Sequence, residues 1–117
     1  MRVLFGGGMA GAIDFNHLER YVGGDQAIIR EVLALFSDQA RTVLPLLAPD
    51  GPPDQWRSAA HSLKGSALGI GAGTLAAACG DAEAVKDAPA AEKIAARARI
   101  ADCLGGVLAD IAAYRTR

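Results

Sequence analysis

The stretch Ala59-Ala60-His61-Ser62-Leu63-Lys64-Gly65-Ser66-Ala67-Leu68-Gly69-Ile70-Gly71 carries two helical faces at once. At 100° per residue, Trp56 just upstream joins Ala59, Ala60, Leu63, Ala67 and Ile70 on one apolar side. Arg57, His61, Lys64, Gly65 and Leu68 fall on a second sector, turned about 130° from the first. The apolar side predicts a helix packed against other helices. The second sector sets a histidine on an exposed surface, with a lysine at i+3 and no side chain at all at i+4. A nucleophile, a cation and a clearing share one face, an arrangement suited to carrying phosphate on histidine.

Neutral imidazole is the one common side chain that is both substantially unprotonated and nucleophilic near neutral pH. Its free lone pair can attack the phosphorus of an acyl phosphate without a separate base. The product carries about two negative charges, which an ammonium on Lys64 would offset as a mobile point charge. Gly65 leaves the attacking nitrogen open to a bulky partner approaching in line. Leu68 adds apolar contact area for that partner. The sequence offers no Walker lysine and no metal cluster, so the phosphoryl group is expected to come from one protein and leave to another.

Composition agrees with a helical domain of this kind. A chain of 117 residues makes one domain that can bury a core without staples. Hydrophobic residues make up 51% and aromatics only 5%, which favours closely packed helices over sheets. The formal net charge of −1 provides no basic field to hold nucleic acid or an anionic membrane. Cys79 and Cys103 sit inside helical apolar patterns and read as buried thiols of a reducing cytosol. No apolar run approaches the ~20 residues of a membrane span, and the N-terminus lacks a signal-peptide pattern. These features place the protein in the cytoplasm.

Outward from the central stretch, residues 1–12 read as a flexible leader ahead of a single domain over 13–117. Gly6-Gly7-Gly8-Met9-Ala10-Gly11 satisfies G-x-G-x-x-G literally. A dinucleotide site needs that loop inside a βαβ unit, and no second β-branched strand follows. Asp14 is an N-cap candidate for a short helix to Val22 with a stripe of Phe15, Leu18, Tyr21 and Val22, closed by Gly23-Gly24. His17 lies off that stripe as a solvated surface residue. Asp25 caps a long helix to about Leu47, with Ile28, Val32, Leu35, Phe36, Val43 and Leu47 inward, which Pro45 should kink or end near Leu44. Ala48 to Pro53 is a loop, Pro53 starts the histidine helix with Asp54 favouring its dipole, and that helix ends in the glycine-rich turn Gly69-Ile70-Gly71-Ala72-Gly73. A fourth helix is expected from about Thr74 to Asp87, with Leu75, Ala78, Cys79, Ala82 and Val85 inward. A fifth starts at Pro89 and ends near Tyr114, with Ile94, Ala98, Ala101, Leu104, Gly105, Leu108 and Ile111 inward. Close helix approach would be a reason to tolerate one glycine of Gly105-Gly106. The expected fold is all-α: an antiparallel four-helix bundle with a short additional N-terminal helix across one end.

His61-Ser62-Leu63-Lys64-Gly65-Ser66, with Gly71 ten residues after the histidine, resembles the signature of histidine-containing phosphotransfer (HPt) domains. The likeness extends upstream, where Gly23-Gly24-Asp25, Ile29-Arg30-Glu31-Val32-Leu33 and Leu35-Phe36 are similar to that family's second helix. It covers about residues 13 to 86, the last helix matching in length and pattern only. The resemblance implies a phosphorelay intermediate without a nucleotide site or autokinase activity. A receiver-domain aspartyl phosphate, often on a hybrid histidine kinase, gives its phosphoryl group to His61, which passes it to a response-regulator aspartate. By the same likeness Lys64 stabilises the phosphate, Gly65 gives access, and Gly71 matches a family glycine. Docking by receiver domains is implied around Phe15, Leu18, Tyr21, Val22, Arg57 and Leu68. The Mg²⁺ of such transfers belongs to the receiver, so neither metal nor cofactor is expected on this chain, which is expected to be a monomer. Leu68-Gly69-Ile70 departs from the family pattern in being more apolar.

Two other classes compete. A helical adaptor would dock receivers without being phosphorylated, making His61→Ala silent. A dinucleotide-binding enzyme would need strands. Ser62 and Ser66 fit equally a close helix contact or a place beside the phosphate.

Overall fold

The computed structural model describes residues 12–116, which fold into helices with no strand among them. They are α1 (Phe15–Val22), α2 (Gln26–Val43), a 3₁₀ turn (Leu44–Leu46), α3 (Pro53–Gly69), α4 (Gly73–Ala84) and α5 (Ala90–Arg115). The leader and its glycine-rich loop lie outside the described residues, apart from Ala12.

Local chemistry sets most boundaries. Asp14 caps α1 by accepting from the His17 amide at 3.1 Å, and Asp25 caps α2 through the Ala27 and Ile28 amides. Gly23 closes α1 in the left-handed conformation, with φ of 70°. Pro45 cannot donate a helical bond, so α2 ends at Val43 and the chain tightens into the 3₁₀ turn. Pro53 occupies the first turn of α3, where its missing N–H costs nothing. The fourth helix stops at Ala84, three residues short of the expected Asp87.

The core is built around α3. Trp56, Ala59, Ala60, Leu63, Ala67 and Ile70 are all buried, as the central stretch predicts. α3 and α4 form the most extensive helix pair, with Ala59, Ala60 and Ala67 of one helix and Ala76, Ala78 and Ala82 of the other all buried. Trp56 is fully buried and donates its indole N–H to the Ala82 carbonyl at 2.7 Å. That bond satisfies a carbonyl in the last turn of α4 and fixes the register of α4 on α3.

Two helices bury a face rotated from the one expected, keeping Phe36, Val43 and Leu47 of the first expected set and Leu104 and Ile111 of the second. On α2 the buried residues are Ile29, Leu33, Phe36, Ser37, Ala40 and Val43, whereas Ile28 and Leu35 are exposed. Apolar residues come there in adjacent pairs (Ile28/Ile29, Val32/Leu33, Leu35/Phe36), so two neighbouring faces satisfy the same period and packing decides between them. On α5 the buried face is Lys93, Ile100, Leu104, Val107, Ile111 and Tyr114. Ile94, Ala98 and Gly105 are exposed, and Ala101 and Leu108 only half-buried. An alanine-rich helix has little apolar contrast from side to side. Its rotation is set instead by contacts such as the Lys93 ammonium, which lies 5.6 Å from the Trp56 ring centroid. Close approach does not explain Gly105, because a Cβ there would meet nothing within 4 Å.

α1 is held to the bundle at its two faces. Phe15 stacks on Tyr114 with ring centroids 5.2 Å apart, and the Asp14 amide donates to the Gly71 carbonyl at 2.9 Å. Gly71 has φ of 78°, and a Cβ there would stand 2.8 Å from the Asp14 carbonyl oxygen. Both strain and clash oppose any side chain. Gly71→Ala should cost about 1–3 kcal/mol, read as a lower urea midpoint at unchanged m-value. An unchanged midpoint would contradict this account of the turn.

Candidate functional site

α3 presents the predicted face to solvent. Arg57, His61, Gly65 and Leu68 are exposed and Lys64 is half-buried. His61 stands at the centre of the helix with its side chain 65% exposed. A Cβ at Gly65 would meet nothing within 4 Å, so this glycine packs against no neighbouring helix and the space beside His61 is open.

The decisive partner comes from α4. Glu83, one residue after the carbonyl that Trp56 holds, reaches across to both His61 and Lys64 of α3. Its Oε2 lies 3.2 Å from His61 Nδ1 and its Oε1 lies 2.6 Å from Lys64 Nζ. The Lys64 ammonium hydrogen-bonded to it holds the Glu83 carboxyl below the usual carboxylate value. Desolvation works in the opposite direction, and the His61 contact adds to the lowering. An ionised carboxylate only accepts, so the shared proton resides on Nδ1 and the imidazole takes the Nδ1–H tautomer. The lone pair is then on Nε2, at the far side of the ring from Glu83. Histidine and lysine are thus held by one carboxylate, next in sequence to the carbonyl that Trp56 holds.

Sequence reasoning did not find Glu83. It lies 22 residues from His61, and no local spacing rule connects them. The signal available is that α4 carries only two charged residues, Asp81 and Glu83. Asp81 turns away to pair with Arg99 on α5.

Ser62 and Ser66 are engaged by α2. The Gln39 amide donates to Ser62 Oγ at 3.2 Å, and Ser66 Oγ donates to the Gln39 carbonyl oxygen. One amide therefore spans two successive turns of α3 on the side opposite Glu83, which makes both serines part of the α2–α3 contact.

The remaining candidates divide by burial. Tyr21 and Leu68 are exposed, Phe15 and Val22 half-buried, and Leu18 is completely buried in the core, where it cannot meet a partner. With Leu35 and Phe36 of α2 and Ile70 just past α3, Tyr21 and Val22 line a shallow apolar groove. His17 stacks loosely on Tyr21, with centroids 6.3 Å apart. Cys79 is buried and Cys103 half-buried, neither in a disulfide. Burial, and secondarily the neighbouring Cys103, push the Cys79 thiol up to about 12, so it stays protonated and fills space under α4. Among the described residues no helix is long and apolar enough to cross a membrane.

A bundle that lifts one nucleophilic histidine to its surface, with its tautomer fixed and a cation at i+3, defines a phosphate carrier. The family model of the Hpt domain matches residues 31–114, and the chain belongs to that family. The match runs through α5, beyond the segment whose motifs are legible from the sequence. The crystal structure of the histidine phosphotransferase ShpA from Caulobacter crescentus is similar to this chain, with 39% identity and a TM-score of 0.74. The likeness covers 91% of this chain and 92% of that one. Among curated proteins no relative matches the sequence. The chain is a histidine phosphotransfer domain of two-component phosphorelay signalling.

Proposed function

We propose that this protein accepts a phosphoryl group on His61 Nε2 from the aspartyl phosphate of a receiver domain, on a hybrid histidine kinase, and passes it to the aspartate of a response regulator. The observation that carries this reading is the Glu83 carboxylate at 3.2 Å from Nδ1, which leaves Nε2 unprotonated and outward. Attack by that lone pair forms the N–P bond as the acyl O–P bond breaks, and the aspartate leaves with the electron pair as a carboxylate. No proton has to move, so no separate base is needed. The reverse attack by a second aspartate discharges the histidine.

Mg²⁺ on the receiver neutralises the phosphoryl oxygens in flight; this chain contributes no cofactor. Receivers dock over the face bearing Tyr21, Val22, Arg57 and Leu68, with the edge of Phe15. The protein acts as a cytoplasmic monomer. Its four longer helices serve as an antiparallel bundle, with α1 across the end next to the docking face.

Gly65 is the entrance. With open space at its Cβ, Gly65→Ala should transfer at close to the normal rate, whereas Gly65→Gln should slow transfer by more than about tenfold through crowding the in-line approach. Stopped-flow transfer from a receiver distinguishes the two, and an unimpaired glutamine variant would remove the access role.

The test of the function is incubation with a phosphorylated receiver and Mg²⁺. Acid-labile, base-stable phosphate on the protein supports the relay. A folded, receiver-binding protein that stays unlabelled would instead be a docking adaptor.

A further inference from the structure

Lys64, the cation that the sequence sets beside His61, is already committed. Its Nζ lies 2.6 Å from Glu83 Oε1, and the two charges cancel. A phosphoryl group on Nε2 carries about two negative charges; the ring, which keeps its Nδ1 proton, offsets one of them and this neutral pair offsets neither. Drawing Lys64 away to meet them would leave the Glu83 carboxylate, with its side chain only 18% exposed, with the ring N–H alone. The phosphorylated state therefore calls for a second positive charge.

Arg57 meets the requirement. It is exposed and forms no ion pair or hydrogen bond among the described residues. It stands one turn before His61 on the same face, and residues at that spacing have Cβ atoms about 5–6 Å apart. Helical side chains lean toward the N-terminus of their helix, so the His61 ring lies over the turn that carries Arg57. Glu83 takes the Nδ1 edge, which leaves Nε2 as the atom available on the Arg57 side. A guanidinium offers two parallel donors to phosphate oxygens without giving up its charge.

We propose that Arg57 is a second phosphate-binding residue of this protein: its guanidinium closes on the phosphoryl group at His61 Nε2 while Lys64 remains with Glu83. This rests on the relay reading above and deepens it, because it makes the charged state of the carrier self-contained before any receiver is bound.

The test uses the intact protein phosphorylated without a partner by phosphoramidate, whose P–N bond breaks as the Nε2–P bond forms and ammonia leaves with the electron pair. The reagent is then removed. In the ¹⁵N–¹H spectrum the Arg57 Nε–H signal should shift on phosphorylation while those of Arg41 and Arg115 stay in place. The shift should shrink in 1 M salt, where screening acts over about 3 Å. In the ³¹P spectrum Arg57→Gln should displace the phosphohistidine signal, and Arg57→Lys should return it most of the way. A phosphorylated protein whose Arg57 signal does not move, with Arg57→Gln slowing only transfer from a receiver, would overturn this proposal and leave Arg57 a docking residue alone. A protein that takes no phosphate from phosphoramidate or from any receiver would overturn the relay reading with it.

Discussion

His61→Gln should abolish phosphate uptake and leave the fold intact. The side chain is 65% exposed, and its one polar tie is to Glu83 at 3.2 Å, which a glutamine amide can also make. Exposed substitutions of that kind shift stability by about 0.5 kcal/mol or less. The chemical loss is complete because an amide nitrogen has no lone pair to offer phosphorus. The circular dichroism melt of the variant should overlay that of the parent while label from a phosphorylated receiver falls to background. Residual acid-labile phosphate in a folded His61→Gln protein would put the carrier at a different residue.

Glu83→Gln should have the second largest effect on activity, slowing transfer by about ten- to a hundredfold, the range found for residues that orient a metal-ligating histidine from behind. The replacement is isosteric and keeps the chain in place. What it loses is the obligation to accept. An amide can donate to Nδ1 as readily as accept from it, and in that orientation the imidazole proton moves to Nε2 and masks the nucleophile. Lys64 also loses the partner that holds it. Glu83→Asp keeps the charge on a shorter arm and should fall between the two. Transfer kinetics and the ¹⁵N shifts of the ring nitrogens read both consequences. A glutamine variant with the parental rate and an unchanged tautomer would show that Glu83 only anchors Lys64.

The pH behaviour of this pair follows from the direction of the Glu83 shift. Its carboxyl is held below the ordinary value in the folded protein, mainly by Lys64. The stabilisation it confers is therefore present above the ordinary carboxylate range and lost only as pH falls through the lower folded value. Mild acidification therefore leaves the Lys64–Glu83 pair intact.

The central helix was legible in full because its residues contrast sharply from side to side: every apolar position of one face is buried, and the polar face carries the histidine outward. The caps at Asp14 and Asp25, the stop at Pro45 and the turn at Gly71 were legible for the same reason, since each is a local demand of backbone chemistry. α2 and α5 were not. Doubled apolar residues on α2 and plain alanine on α5 leave the rotation of each helix to tertiary packing, and a buried Lys93 over Trp56 contradicts any rule based on polarity. Glu83 was out of reach for a further reason. It meets His61 only because a tryptophan one turn earlier in α3 pins the end of α4, and that is a fact of assembly rather than of spacing. The error on α2 has a use: Leu35, counted inward, is instead exposed and lines the apolar groove beside Tyr21 and Val22.

The most direct measurement of the central claim follows one phosphoryl group through the protein. A receiver labelled on its aspartate is mixed with this protein and a second, unlabelled receiver in Mg²⁺, and all three species are quantified over time. The relay account predicts that label passes through an acid-labile, base-stable state on His61 and then accumulates on the second receiver, with no gain there when His61→Gln replaces the parent. Label that never leaves the first receiver, or that reaches the second equally well without His61, would contradict it.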